Sequence, residues 1–328
     1  MAKDKKIIKS KEIGIFLVFV ALFIIFSIIS PRFLQMKNIF NITKQVATLG
    51  IVAVGFTLVL ITGGIDLSVG YHISLINVLV AHLITKMGFH WGIAVIIGLL
   101  AGLLIGFING FIITKTGVAP LIVTLSMMTI LNGLSYLVSK GLPMFGFPKQ
   151  FSYLGQGSIG PIPVPLIFLA IIIGIGIFIL RKTYFGRYFY AIGSNEEATK
   201  LSGVNVAKVQ MLVYSLCGLF TAIGGVLLLS RLSSAQSATG AGFEFDVLTA
   251  CVLGGVSTNG GKGTMVGAFF GVMIVGVLDN GLLLMNVSEY VQLVIKGCIL
   301  LAAVIYDTMS RAKSERIKRM KTINAKNA

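Results

Sequence analysis

The chain has 328 residues, 56% of them hydrophobic and only 12% charged, with glycine at 39 positions. That composition excludes a water-soluble globular domain and predicts an all-α integral membrane protein. The formal net charge of +16 does not point to nucleic acid, because the lysines and arginines sit at the termini and between apolar runs, where the positive-inside rule puts them.

Apolar runs set against their breakers place about ten transmembrane or re-entrant helices near 13–30, 46–62, 67–85, 92–114, 119–139, 162–180, 207–229, 246–257, 264–285 and 288–306. The first run follows Lys3, Lys5, Lys6, Lys9 and Lys11, and no small-residue cleavage site follows it. It reads as a retained helix with a cytoplasmic amino terminus rather than a signal peptide. The eighth run, "DVLTACVLGGVS", is too short to cross untilted and reads as re-entrant or broken. An even count of crossings keeps the basic tail, 308–328, on the same cytoplasmic side as the basic segment 1–12. The whole chain, 1–328, is expected to form one transmembrane domain.

Two connections are long. Lys140 to Pro161 is rich in glycine, proline and aromatic residues and suits an ordered cap on the outer face. Arg181 to Lys208 lies inside. Within it, Asn195 is placed to cap a short helix that begins Glu196, Glu197, Ala198, with acids at its positive end and Gly203 just past its finish. A helix laid along the cytoplasmic surface is a natural place for another subunit to push.

The stretch "LVLITGGIDLSVGYHISL", 58–75, sets a carboxylate at membrane depth. Gly63 and Gly64 break the second span there, and Asp66 with Ser68 supplies residue types that cap a new helix. Irregular backbone survives in a membrane only where protein or a water-filled cavity surrounds it. Asp66 is therefore either a cap alone or part of a hinge that lines a solute path. "GGVSTNGGKGTMVGAFFGVMI" weakly echoes this pattern and predicts a second break near 254–263.

Other polar residues inside spans include Asn77, Asn109, Thr124, Asn132, Ser135, Tyr214, Asn280 and Gln292. They suit either a hydroxylated solute or bonding between helices. Asp279 is the second intramembrane acid and Lys296 the one basic residue placed inside a span. Gly98, Gly102, Gly106 and Gly110 form a small-residue stripe for close helix packing. Cys217, Cys251 and Cys298 fall within apolar runs and read as packing residues.

Several chemistries find no support. "GGVSTNGGKGT", 254–264, fails as a phosphate loop because Val256 takes the first glycine position and Gly263 follows Lys262. His72, His82 and His90 lack ligand spacing, so no metal site is expected. No nucleophile with a base and no paired catalytic acids appear, so the chain is not expected to be an enzyme.

Taken together, these motifs resemble the membrane permeases of bacterial ABC importers for ribose and related simple sugars. "GGIDLSVG" at 63–70 carries most of the resemblance, joined by "GRYFYAIGSNEEATKLSGVNV" at 186–206, "YSLCGL" at 214–219, "SRLSSAQ" at 230–236, "GFEFDV" at 242–247 and "VLGGVSTNGGKGTMVG" at 252–267. Two positions depart from the pattern: Ser194 stands where a glycine is usual, and Asp279 where an asparagine is.

The resemblance implies a multi-pass permease of the bacterial inner membrane, working as a pair of permease chains. Cytoplasmic ABC ATPase subunits would bind the inner face and consume ATP, and an extracytoplasmic sugar-binding protein would deliver solute. No cofactor is then bound by this chain. The resemblance places ATPase coupling on Gly193, Asn195, Glu196, Glu197 and Gly203, while the residues themselves suggest a path or hinge at Gly63, Gly64, Asp66, Ser68, Asn109, Asn132 and Asp279. The alternative from the residues is an ion-coupled secondary transporter of a small polar solute, with Asp66 or Asp279 binding the ion.

Overall fold

The computed structural model describes the backbone of residues 2–326 and the side chains of residues 12–309. The terminal lysines at 3–11 and the basic residues from Arg311 to Lys326 lie outside the described side chains. The helices are α1 (Ala2–Ile29), α2 (Met36–Ile61), α3 (Val69–Thr85), α4 (Trp91–Thr116), α5 (Pro120–Ser139), α6 (Lys149–Gln156), α7 (Val164–Lys182), α8 (Tyr184–Ser194), α9 (Glu196–Leu201), α10 (Val206–Leu232), α11 (Phe243–Leu253), α12 (Met265–Leu284) and α13 (Glu289–Lys326). Strands β1 (Ser158–Ile159) and β2 (Ile162–Pro163) form a small antiparallel hairpin. Eight helices among the described residues are long and apolar enough to cross a membrane, and α3 is a shorter apolar one.

The end of the bundle that carries α8 and α9 is here called basal, and the end that carries α6 apical. Cross-links between distant segments fix the direction of each helix. At the apical end Asn38 and Asn280 exchange amide hydrogen bonds of 2.9 Å, and the Lys44 ammonium donates to the Gln156 carbonyl at 2.8 Å. At the basal end the Thr264 hydroxyl donates to the Glu12 carboxylate at 2.7 Å and the Ser257 hydroxyl to Asp307 at 2.9 Å. With about 1.5 Å of rise per residue, the 17 residues of α3 reach roughly 26 Å, nearly the thickness of a hydrocarbon core.

The core forms around α2 and α10. Phe56, Leu58, Leu60 and Ile61 of α2 and Val213, Cys217 and Leu229 of α10 are fully buried. The stripe on α4 serves packing, as expected: Gly102 and Gly106 press against Gly218 of α10, and Gly110 against Met211. A Cβ at any of these would overlap neighbouring backbone, so only glycine permits the approach.

Several expectations need correction. The second span starts at Met36 rather than near 46. Its polar first turns, which look like a loop, are held by the Asn38 and Lys44 contacts. The eighth element is helical only over Phe243–Leu253, yet the chain still passes from end to end. Ala235 pairs with Met144 beyond the apical end of α5, whereas Gly254 packs on Gly267 at the basal start of α12. An irregular stretch, 233–242, covers the remaining depth. Cys298 is exposed, not a core residue, whereas Cys217 and Cys251 are buried. Helix α8 occupies Tyr184–Ser194, inside the segment that the sequence presents as a connection.

Candidate functional site

The break after α2 gathers three segments that are far apart in sequence. Gly63 has φ +84°, a left-handed conformation that favours glycine, and its Cα faces the carbonyl of Asn259 and the backbone of Gly193. The Gly261 amide donates to the carbonyl of Ile61, the last residue of α2, at 2.9 Å. Gly193, near the end of α8, lies so close to the Ile61 carbonyl and the Gly261 amide that a Cβ there would overlap both. The two glycine turns, 62–64 and 254–263, and the α8–α9 connection thus meet at one point of the basal end.

Further bonds tie this joint together. The Tyr190 hydroxyl of α8 donates to the Gly263 carbonyl at 2.8 Å. Burial raises its phenol above the ordinary value, partly offset by Arg181, so it stays a protonated donor. Ser194, at the departure from the usual glycine, turns its hydroxyl back to the Tyr190 carbonyl at 2.7 Å. Asn195 accepts from the Ala198 amide at 2.9 Å, which caps α9 as its position in the sequence suggests. Glu196 and Glu197 are exposed on the first turn of α9, and Gly203 follows the helix with φ +83°. An open groove of about 330 Å³ between α8 and α9 is lined by Arg187, Tyr188, Asn195 and Thr199 among others.

Above the joint, the Asp66 carboxylate accepts from both the Ser68 amide at 3.0 Å and the Ser68 hydroxyl at 2.5 Å. Ser68 makes no side-chain cap for α3; its hydroxyl instead accepts from the Asn109 amide at 3.0 Å. Asp66, Ser68 and Asn109 are all buried. They form a link between the break and α4 rather than an open lining. Gly64 fits under the Tyr214 ring, whose hydroxyl finds no hydrogen-bond partner, and the second Asp66 oxygen also lacks one.

Asn132 and Asp279 lie elsewhere. Asn132 is half-buried on α5, its carbonyl oxygen without a partner. Asp279 sits in the apical half of α12, where the Lys296 ammonium of α13 stands 3.1 Å from it and 2.9 Å from Asp246 of α11. No sequence pattern marks Asp246 as the third member of this cluster; its place beside Lys296 of α13 depends on the irregular 233–242 stretch, which no local pattern reveals. Among the described residues no group of three His, Cys, Asp or Glu side chains is arranged to hold a metal ion.

A family profile described as branched-chain amino acid transport system / permease component matches residues 38–304. The ribose import permease protein RbsC of Bacillus subtilis (strain 168) is 45% identical over 304 residues, 92% of this chain and 94% of that protein. RbsC of Escherichia coli (strain K12) is 40% identical over 287 residues, 86% and 89% of the two chains. The L-arabinose transport system permease protein AraH of Escherichia coli (strain K12) is 40% identical over 297 residues, 90% of each. No solved structure matches the chain.

Proposed function

The chain belongs to this permease-component family and is not itself an enzyme, and we propose that it forms the membrane path of an ATP-driven importer for ribose or a related simple sugar. A permease component of an ABC importer works with an ATPase and a substrate-binding protein. In this reading two copies of the chain pair, ATPase subunits bind the basal, cytoplasmic end, and a sugar-binding protein delivers solute at the apical end. Both termini then face the cytoplasm.

The observation that carries the mechanism is the joint of Gly193, Ile61 and Gly261. A push on α8 and α9 reaches both glycine turns directly, with no intervening element. ATP-driven closure of the ATPases would move the 181–208 segment, and the chain would hinge at 63–66 and 254–263 to alternate access. The groove between α8 and α9, together with the exposed Glu196 and Glu197 of α9, is the docking surface in this scheme. Asp279 is occupied by Lys296, which removes one of the two free carboxylates an ion-coupled carrier would use.

Reconstitution tests the reading. Proteoliposomes holding the chain with its ATPase and binding protein should accumulate labelled ribose only when ATP is supplied. Accumulation by the chain alone, driven by a proton or sodium gradient, would overturn it.

A further inference from the structure

Resting on the importer reading, we infer that the irregular stretch 233–242 is the sugar-contacting wall of the aqueous path. Along it the chain alternates: Ala235, Ser237 and Gly240 are buried, while Gln236, Ala238 and Ala241 are exposed. The buried face is fastened to its neighbours. The Ser237 and Ser139 hydroxyls are 2.6 Å apart, the Gly240 amide donates to the Ser74 hydroxyl at 2.9 Å, and Gly240 meets Gly70 backbone to backbone. Ser74 is in the sixth position of α3, so the stretch descends well into the membrane.

The open face therefore presents non-helical backbone at membrane depth. The Thr239 and Ala241 amides close turns onto the Gln236 and Ala238 carbonyls at 3.2 and 3.0 Å, but the Gln236 and Ala238 amides find no partner among the described residues. Hydrocarbon cannot satisfy them, so this face turns to the aqueous path and not to lipid. Beside it stand the exposed rings of Tyr136 and Phe245, and Tyr71 lies within electrostatic range of Tyr136 and Glu244. Glu244 itself is 1% exposed, with one carboxylate oxygen unpartnered behind the wall against Gly70. Ring faces with amide, hydroxyl and backbone groups match a neutral polyhydroxylated solute.

The test uses the complete transporter with Cys298 replaced by serine, so that the two remaining native thiols are the buried ones. Ala238→Cys and Thr239→Cys are challenged with a charged, membrane-impermeant methanethiosulfonate, with Leu100→Cys on the exposed apolar face of α4 as the lipid-facing control. The expected result is that the wall positions react and lose ribose uptake, that ribose slows their reaction, and that Leu100→Cys stays unlabelled. Wall positions as inert as Leu100→Cys in a complex that still imports ribose would overturn the inference alone. Labelling that no sugar slows would overturn the contact with solute. Absence of any ATP-dependent ribose uptake by the unsubstituted complex would instead sink the importer reading beneath it.

Discussion

Gly193 of α8 rests against the carbonyl of Ile61, the residue on which α2 ends, with no room for a side chain between them. The contact is backbone on backbone, so neither partner can swing aside. Gly193→Ala must therefore push α8 off the joint, at a cost of about 1–3 kcal/mol for overpacking. Gly63→Ala makes only ordinary contact, its nearest neighbour 3.7 Å from the added carbon, and costs the left-handed backbone, about 1–2 kcal/mol. Ribose uptake by the assembled complex should fall far more with Gly193→Ala than with Gly63→Ala. Equal uptake in the two variants would refute the joint as the transmission point.

The bond from Tyr190 to the Gly263 carbonyl separates docking from coupling. Tyr190→Phe keeps the ring and removes only the hydroxyl, so the ATPase should still co-purify while uptake per ATP hydrolysed declines. Glu196→Lys with Glu197→Lys acts one step earlier, on exposed residues outside the packed core. That double variant should fold normally and lose ATPase on size-exclusion chromatography. Retention of the ATPase with full uptake would remove α9 from the interface.

Asp66 offers a test of the break itself. Asp66→Ala strands the buried Ser68 amide and hydroxyl, at about 1–3 kcal/mol for each group left unsatisfied. Asp66→Asn keeps an acceptor oxygen in place and should cost less. A thiol-reactive dye, used on a Cys298→Ser background so that only the buried Cys217 and Cys251 become reactive on heating, reads both variants in detergent. The alanine variant is expected to melt first; if the asparagine variant melts as early, the carboxylate charge matters more than its hydrogen bonds.

Much of this architecture is legible in sequence because apolar runs and glycine breaks are local signals. The α9 helix is found by Asn195, the acids Glu196 and Glu197 and the closing Gly203, and the two glycine turns by their neighbouring polar residues. What cannot be read is pairing across distance. The polar start of α2 looks like loop until Asn280, 242 residues away, answers Asn38. Asp66 and Ser68 look like caps because both are good cap formers, but Asn109 turns Ser68 into a cross-link. Helix α8 is hidden in a stretch of tyrosine, phenylalanine and glycine, although Thr183 caps it by accepting from the Gly186 amide at 3.3 Å, a local signal in the sequence. The meeting of both breaks with that helix is a tertiary fact, and no spacing within any one motif encodes it.

The cluster of Asp246, Asp279 and Lys296 holds two acids against one base, and its response to substitution should be lopsided. Side-chain exposure is 21% for Asp246 and Lys296 and 13% for Asp279, so water screens the charges only in part. Lys296→Met leaves two carboxylates facing each other with no cation and should destabilise by roughly 2–3 kcal/mol, below the full penalty for a buried unpaired charge. Asp279→Asn leaves Lys296 bound to Asp246 through both carboxylate oxygens, at 2.9 and 3.0 Å, and restores one-to-one charge. Its cost should stay within about 1 kcal/mol. Adding Asp279→Asn to Lys296→Met should recover part of the lost stability, because one of the two opposed charges is gone. Thermal unfolding of the three variants in detergent decides it: a single Asp279→Asn change as damaging as Lys296→Met would mean that Asp279, and not Asp246, is the principal partner of the lysine.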